Sequence, residues 1–404
     1  MSSTTEQKAQ LKRTPLYDAH VELGGKMVPF GGWEMPLHYG SQLHEHKTTR
    51  AACGLFDVSH MGQIEITGHA ALRLIQEIVT RDIEALKDGE EAYTVMCREH
   101  GGIVDDLIVT RLGPEEFFIV VNAGPYEKDV AFMREIETRL ALPRVVLHPC
   151  AEDWAMIAVQ GPLYAEVLAN VIGDGEWKNL KAYRARRMEY RGTEMILSTT
   201  GYTGEPGVEL ICHPEVASML WKELVGAGGA PCGLAARDTL RLEKGMNLSG
   251  QDFTEENNPF EARLGWVVNL KKPSFSGREA LMRIKAEGPK KRLVGLLPEG
   301  RRIPRHEAKI LSRRAEIGLA GVDVARHRRV HADLIKGPTL SVGRHANVAV
   351  GNHADDEPAF LGHGNRAAIA LPHEPRGLIK SFIWPDRFHI LAHQIASFHR
   401  SLLR

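Results

Sequence analysis

The stretch Gly101-Gly102-Ile103-Val104-Asp105-Asp106-Leu107-Ile108-Val109-Thr110 sets two adjacent carboxylates inside an apolar run. Branched aliphatic residues after a double glycine read as a strand, on which neighbouring side chains point to opposite faces. One aspartate then faces a pocket while the other faces solvent or a cap. A carboxylate on an apolar strand is costly unless it is hydrogen-bonded, which makes the pair a candidate site. Two turn aspartates following the glycines are the alternative reading. A second apolar run, Phe117 to Asn122, lies across Gly113-Pro114, and the two runs predict a hairpin.

Working outward, Gln63 to Thr67 alternates as a strand does, and Leu72, Ile75 and Ile78 recur at helical spacing. After Gly124-Pro125 a second helix is expected, with Pro125 in its first turn and Val130, Met133, Ile136 and Leu140 along its buried face. Val145 to Leu147 supplies a last strand. This order of elements predicts a compact α+β module of split βαβ type. From about 154 to 270, strands at Met156 to Val159, Glu194 to Ser198 and Val208 to Cys212 are separated by Gly-rich turns, and a helix runs from Glu215 to about Val225. A helix at Gly277 to Ala286 leads into a strand, Arg292 to Leu297, that opens a further domain.

The chain has 404 residues, enough for roughly two to four domains. Lys plus Arg (51) equals Asp plus Glu (51), so no global field recruits nucleic acid or an anionic membrane. No apolar run reaches the roughly 18 residues that span a bilayer. The five cysteines are scattered without a CxxC pair, which argues against a disulfide framework and against a zinc ribbon. With a polar N-terminal stretch that contains Glu6, the expected home is the cytoplasm.

Three further constellations invite chemistry. Gly201-Tyr202-Thr203-Gly204-Glu205-Pro206-Gly207 lacks the Gly-Lys-Ser/Thr ending of a phosphate loop. It reads either as a tight turn or as a loop whose glutamate faces a polar ligand. Arg237 and Arg241 lie four apart on a helical stretch, as solvated surface groups or as guanidinium forks for a carboxylate. His44-Glu45-His46 and the His327, His331 pair find no third ligand, so no metal is expected, and the thiols read as buried packing residues.

Taken in order, these segments resemble one family. They include Gly31-Gly32-Trp33-Glu34-Met35-Pro36-Leu37-His38-Tyr39, Gly54 to Met61 (GLFDVSHM), GGIVDDLIVT from Gly101, and Val121-Asn122-Ala123 with Glu127-Lys128-Asp129. Ala158 to Pro162 (AVQGP), TTGYTGE from Thr199 and CGLAARDTLRLEKGMNLSGQD from Cys232 continue the likeness, from about residue 14 to about 310. The chain resembles the aminomethyltransferase, or T-protein, of the glycine cleavage system.

The resemblance implies a three-domain, cloverleaf-like α+β fold with tetrahydrofolate in a central channel. It implies a first folate-binding domain made of 1–52 and 150–275, an inserted module at 53–149 carrying Asp105, and a C-terminal β-barrel domain at 276–404. It also implies transfer of an aminomethyl carbon from the lipoyl arm of the H-protein to tetrahydrofolate. The products are 5,10-methylenetetrahydrofolate, ammonia and the dihydrolipoyl carrier. By position, Asp105 is the catalytic acid, Glu205 and Arg237 bind folate, and Asn122, Tyr93 and Tyr202 line the channel. Neither nucleic acid nor membrane is an implied partner.

The likeness ends after Glu316-Ile317-Gly318, where strand patterning is expected to stop, and ten of the 19 histidines lie from His306 onward. The family's Thr-Ser-Gly-x-Phe-x-Pro-Thr stretch is missing, so the barrel is expected to be incomplete. A frameshift accounts for this: ACC GGC GCG TTC ACG CCG ACC T, which encodes Thr-Gly-Ala-Phe-Thr-Pro-Thr, read one base early after a C gives His-Arg-Arg-Val-His-Ala-Asp-Leu. That is the sequence from His327 to Leu334. The competing reading is a divergent tail with an amphipathic helix through Phe388, Leu391, Ile395, Phe398 and Leu402, and the alternative function, should the C-terminal domain be disrupted, is a catalytically impaired folate-binding protein. A related folate protein of iron–sulfur maintenance is disfavoured because its Lys-Gly-Cys-Tyr-type motif is absent.

Overall fold

The computed structural model describes residues 11–296 and, beyond them, the backbone of the strands Lys309–Ser312, Ala315–Ala320 and Val330–Asp333. The hairpin around Asp105 forms as the sequence predicts. Ile103–Gly113 pairs antiparallel with Glu116–Val121 on one side and with Glu91–Cys97 on the other. Gly62–Thr67 and Val146–Pro149 complete a five-stranded sheet. Glu116–Val121 and Val146–Pro149 are both antiparallel to Gly62–Thr67, which lies between them, so they run the same way. The helix Tyr126–Leu140 joins these two strands, and this is the split βαβ crossover. Pro125 stands at the N-cap of that helix, one position before the expected first turn.

The helices Ala71–Ile78 and Tyr126–Leu140 bury Leu74, Ile75, Ile78, Phe132, Met133 and Ile136 against Ile64, Ile66, Val109 and Ile119 of this sheet. A six-stranded sheet forms the second layer, in the order Ala185–Tyr190, Thr193–Ser198, Gly207–Cys212, Ala155–Gln160, Gly54–Asp57, Ala230–Pro231. The helices Tyr164–Ile172 and Pro214–Gly226 cover one of its faces through Leu168, Leu220, Trp221 and Leu224. Gly54–Asp57 pairs here with Ala155–Gln160, so the chain crosses between sheets after Asp57 rather than at residue 53.

The opposite face of the six-stranded sheet meets the five-stranded one along an apolar seam. Phe118 lies edge-on to Trp154 at 5.7 Å, among Phe56, Met156, Ile196 and Ile211. The N-terminal end of the Asp105 strand is further tied down. Phe253, Leu264, Val267, Phe275 and Leu281 pack on Val95, Cys97 and Ile103. The double glycine is a steric requirement, because a Cβ on Gly102 would sit 2.0 Å from the Glu255 carbonyl oxygen. Gly101 has φ +90, which favours glycine.

A four-stranded antiparallel sheet follows, in the order Val294–Leu296, Val330–Asp333, Ala315–Ala320, Lys309–Ser312. Strand structure therefore continues past Gly318, where the sequence reading expected it to stop. Val-His-Ala-Asp has the alternation a strand needs, and it is too short to register against the polar residues around it. The expectations for the remainder of the barrel and for the tail helix lie outside the described residues.

Candidate functional site

Asp105 is fully buried, opposite Met96 on the neighbouring strand. Such a carboxylate needs donors, and Asn122, just past the end of the next strand, provides them. The Asn122 backbone N–H donates to Asp105 Oδ2 at 3.2 Å, and its Nδ2 lies 3.0 and 3.1 Å from the two carboxylate oxygens. The same amide reaches Asp106 Oδ1 at 2.8 Å. One asparagine therefore clamps both aspartates, although their side chains leave the strand in opposite directions.

Asp106 is partly exposed and accepts a second bond, from the Tyr93 hydroxyl at 2.8 Å. Burial, reinforced by the neighbouring Asp105 charge, pushes Asp106 up to about 7. Tyr93 stacks on Trp266 with ring centres 5.7 Å apart and planes tilted by 20°. Trp266 is itself more than half exposed, so the pair forms an aromatic wall that solvent reaches.

The loop between Thr193–Ser198 and Gly207–Cys212 and the helix Leu234–Lys244 supply the other groups. Tyr202 donates from its hydroxyl to the Asn247 carbonyl and carries the Arg237 guanidinium over its ring, 4.8 Å from the ring centre. The Tyr202 hydroxyl lies within electrostatic reach of Asp106 and Tyr93, which brings Tyr93, Asp106, Tyr202 and Arg237 together across the seam. Arg237 Nη1 is buried and meets no acceptor among the described residues. His60 faces it and is held neutral, its value lowered to about 4 by burial, and His60 Nδ1 also finds no partner among the described residues.

Glu205 stands apart from the Asp105 group. Its Oε1 accepts from Arg50 Nη1 at 3.0 Å, and Arg50 also binds Glu243 and the Leu240 carbonyl. The carboxylate that faces Arg237 is Glu209, on Gly207–Cys212, which takes a hydrogen bond from Thr200. The sequence reading missed it because an alternating glutamate on a strand resembles a solvated face. The glycines of the 201–207 loop serve close packing: a Cβ on Gly201 or Gly207 would strike the buried Gln160 side chain. Gln160 in turn donates to the Thr200 and Val208 carbonyls and accepts from Thr203.

Arg241 parts company with Arg237. It is completely buried and bound to Asp238, to the Met246 carbonyl and to Asp252, a structural use of the guanidinium fork. His46 is likewise bound, to Thr239 at 2.8 Å and to Glu243 at 3.1 Å. All five cysteines are buried free thiols, as the sequence reading expects. Among the described residues, the group with ligand atoms close enough to share a metal is Glu65, His148 and Cys150, which includes none of the sequence-predicted site residues.

A five-stranded antiparallel sheet and a six-stranded sheet that is antiparallel but for its Ala230–Pro231 edge meet at an apolar seam, with a clamped acid pair on one and, on the helix Leu234–Lys244 beside the other, a guanidinium nitrogen that meets no acceptor among the described residues; this is an α+β enzyme architecture. Residues 16–272 match the family model described as the GCVT N-terminal domain. The aminomethyltransferase of Halothermothrix orenii is 43% identical over 313 residues, which is 76% of this chain and 86% of that protein. That of Bacillus subtilis is 40% identical over 314 residues, covering 76% and 85%. The crystal structure of the glycine cleavage system aminomethyltransferase T from Bartonella henselae superposes with a TM-score of 0.74 at 33% identity, over 81% of this chain and 90% of that one. The chain belongs to the aminomethyltransferase family, the T-proteins of glycine cleavage, and has their fold.

Proposed function

We propose that this enzyme takes the aminomethyl group from the lipoyl arm of the H-protein and passes its carbon to tetrahydrofolate, releasing ammonia and the dihydrolipoyl carrier. The observation that carries the reading is the fully buried Asp105 carboxylate, clamped by three contacts from Asn122. A fixed negative charge in a water-poor site stabilises the positive charge that builds on the aminomethyl carbon as its bond to nitrogen breaks. Tetrahydrofolate supplies the nucleophilic nitrogen when bound. The residues fit such a ligand. The unpartnered Arg237 Nη1 is a buried donor awaiting an acceptor, and the Tyr93–Trp266 stack and the Tyr202 ring are flat surfaces for a heterocycle.

In this reading Asp105 is the catalytic carboxylate, Asn122 holds it, and Arg237 with Tyr93 and Tyr202 orients folate. Glu209 beside Arg237 offers the acceptor pair for a pterin edge more directly than Glu205, whose Oε1 is engaged by Arg50. Holding two bulky reactants in one geometry supplies much of the rate. Five buried unpaired thiols suit a reducing cytoplasm. The test is ammonia release from aminomethylated H-protein with tetrahydrofolate. Asp105→Asn is expected to lower kcat by about 10² to 10³-fold, with folate binding by calorimetry retained. Undiminished turnover in that variant would remove Asp105 from the chemistry, and folate binding by the unaltered chain without any ammonia release would overturn the transfer itself.

A further inference from the structure

Behind Asp105 lies a third carboxyl group. Asp129 sits in the first turn of Tyr126–Leu140 and is completely buried. Neither of its carboxyl oxygens meets a donor among the described residues. The group within its hydrogen-bonding reach is Asp105. Two carboxylates cannot bond to one another, because both are acceptors, whereas a carboxyl that keeps its proton has one O–H to give. Fully buried like charges side by side are resolved by sharing one proton.

The surroundings decide which member keeps it. Asp105 already receives the Asn122 backbone N–H and side-chain amide, donors that favour the ionised form. Asp129 receives neither. The charged groups facing Asp129 are Asp105 and Asp106 on the strand and Lys128 on its own helix. Lys128 is turned toward the Val104 carbonyl at 2.7 Å and Glu255 at 3.0 Å, so its charge is engaged elsewhere.

Resting on the aminomethyltransferase reading of Asp105, we propose that Asp129 is a positioning residue that stands as the neutral acid and donates a hydrogen bond to Asp105, fixing that carboxylate toward the reacting carbon. Burial, followed by the Asp105 charge, pushes Asp129 up to about 10, in keeping with this arrangement.

The experiment uses the full chain and two variants. At roughly pH 8.5, above the value of about 7 for Asp106 and Glu91 and below the value of about 10 for Asp129, infrared spectra are expected to show a protonated carboxyl C=O band that Asp129→Asn removes. Asparagine keeps a neutral donor toward Asp105, so kcat for ammonia release is expected to stay within about threefold of the unaltered chain, while Asp129→Ala loses about thirtyfold in kcat with KM little changed. An unchanged band in Asp129→Asn, or a kcat as low as that of the alanine variant, overturns the proposal. The infrared readout needs no substrate, so it decides the state of Asp129 even if the chain releases no ammonia and the transfer reading fails.

Discussion

Asp57 and the Asp105 cluster are both buried carboxyl sites close to the seam between the two sheets, yet their surroundings are opposite in kind. Asp57 receives the Thr14 hydroxyl at 2.6 Å, His20 Nε2 at 2.8 Å and the Ser59 backbone N–H at 2.9 Å, and His20 is backed by the Tyr39 hydroxyl at 2.7 Å. Burial alone would raise Asp57, but the His20 bond and charge, with Thr14 and Ser59, hold it below the usual carboxylate range. Asp105 and Asp106 instead share the donors of Asn122 and Tyr93, none of which reaches Asp129, and Asp106 and Asp129 are pushed up. Donors in excess make a carboxylate structural. Carboxyls in excess leave charge that is stabilised when a cation develops nearby, which is the property a transferase of an aminomethyl group requires.

The sharpest way to break this comparison is to remove Asp57. Asp57→Ala strands His20 and Thr14 in the core and is expected to cost about 3 kcal/mol of stability by denaturant melting. A loss well under 1 kcal/mol would place the network among the dispensable contacts. Because Asp57 is lowered from 3.8, its contribution is present above that value and is lost as pH falls through the folded-state value. The acid limb of the stability profile is therefore expected to flatten in the variant.

A smaller effect is expected at Lys272, a buried cation supplied with acceptors as fully as Asp57 is with donors. Its Nζ donates to the Gln76, Val79 and Arg81 carbonyls at 2.7, 2.6 and 2.9 Å, closing the end of Ala71–Ile78. Lys272→Met leaves these carbonyls without that donor and is expected to cost about 2 kcal/mol. Burial lowers Lys272 to about 8 from 10.5, so between these values the unfolded chain holds more protons and stability rises with pH. The methionine variant should lose that rise, as a thermal melt series would show.

The smallest expected effect concerns slope alone. Asp106 is raised from 3.8 to about 7, so its contribution is present below 3.8 and is lost as pH climbs through about 7. This is opposite in sign to Asp57. Asp106→Asn is expected to flatten the stability profile over that window, and a profile identical to that of the unaltered chain would erase the contrast between the two sites.

The Asp105 hairpin was legible as two apolar runs across Gly113-Pro114, and its crossover helix because apolar residues recur every three or four positions through Tyr126–Leu140. Short polar helices such as Tyr17–Glu22 and Gln42–Ala51 carry no such pattern and are fixed by tertiary contacts, Glu45 accepting from the Tyr39 and Gly233 backbone amides. At the site, Asp105 stood out as a charge in an apolar run. Asp129 did not, because an acid in a first helical turn is what the helix dipole favours anyway. Arg237 and Arg241 look alike in sequence, and only the fold shows that Arg241 is tied to Asp238, Asp252 and the Met246 carbonyl while Arg237 lies over the Tyr202 ring and faces Glu209, each keeping one buried nitrogen without a partner among the described residues.

The measurement that tests the account most directly is tetrahydrofolate-dependent ammonia release from aminomethylated H-protein by the unaltered chain, Asp105→Asn and Asp57→Asn, each normalised to its folded fraction. The account predicts turnover by the unaltered chain, near-abolition in Asp105→Asn despite intact folding, and retained turnover per folded molecule in Asp57→Asn. Equal turnover in all three, or loss in Asp57→Asn with Asp105→Asn intact, would contradict it.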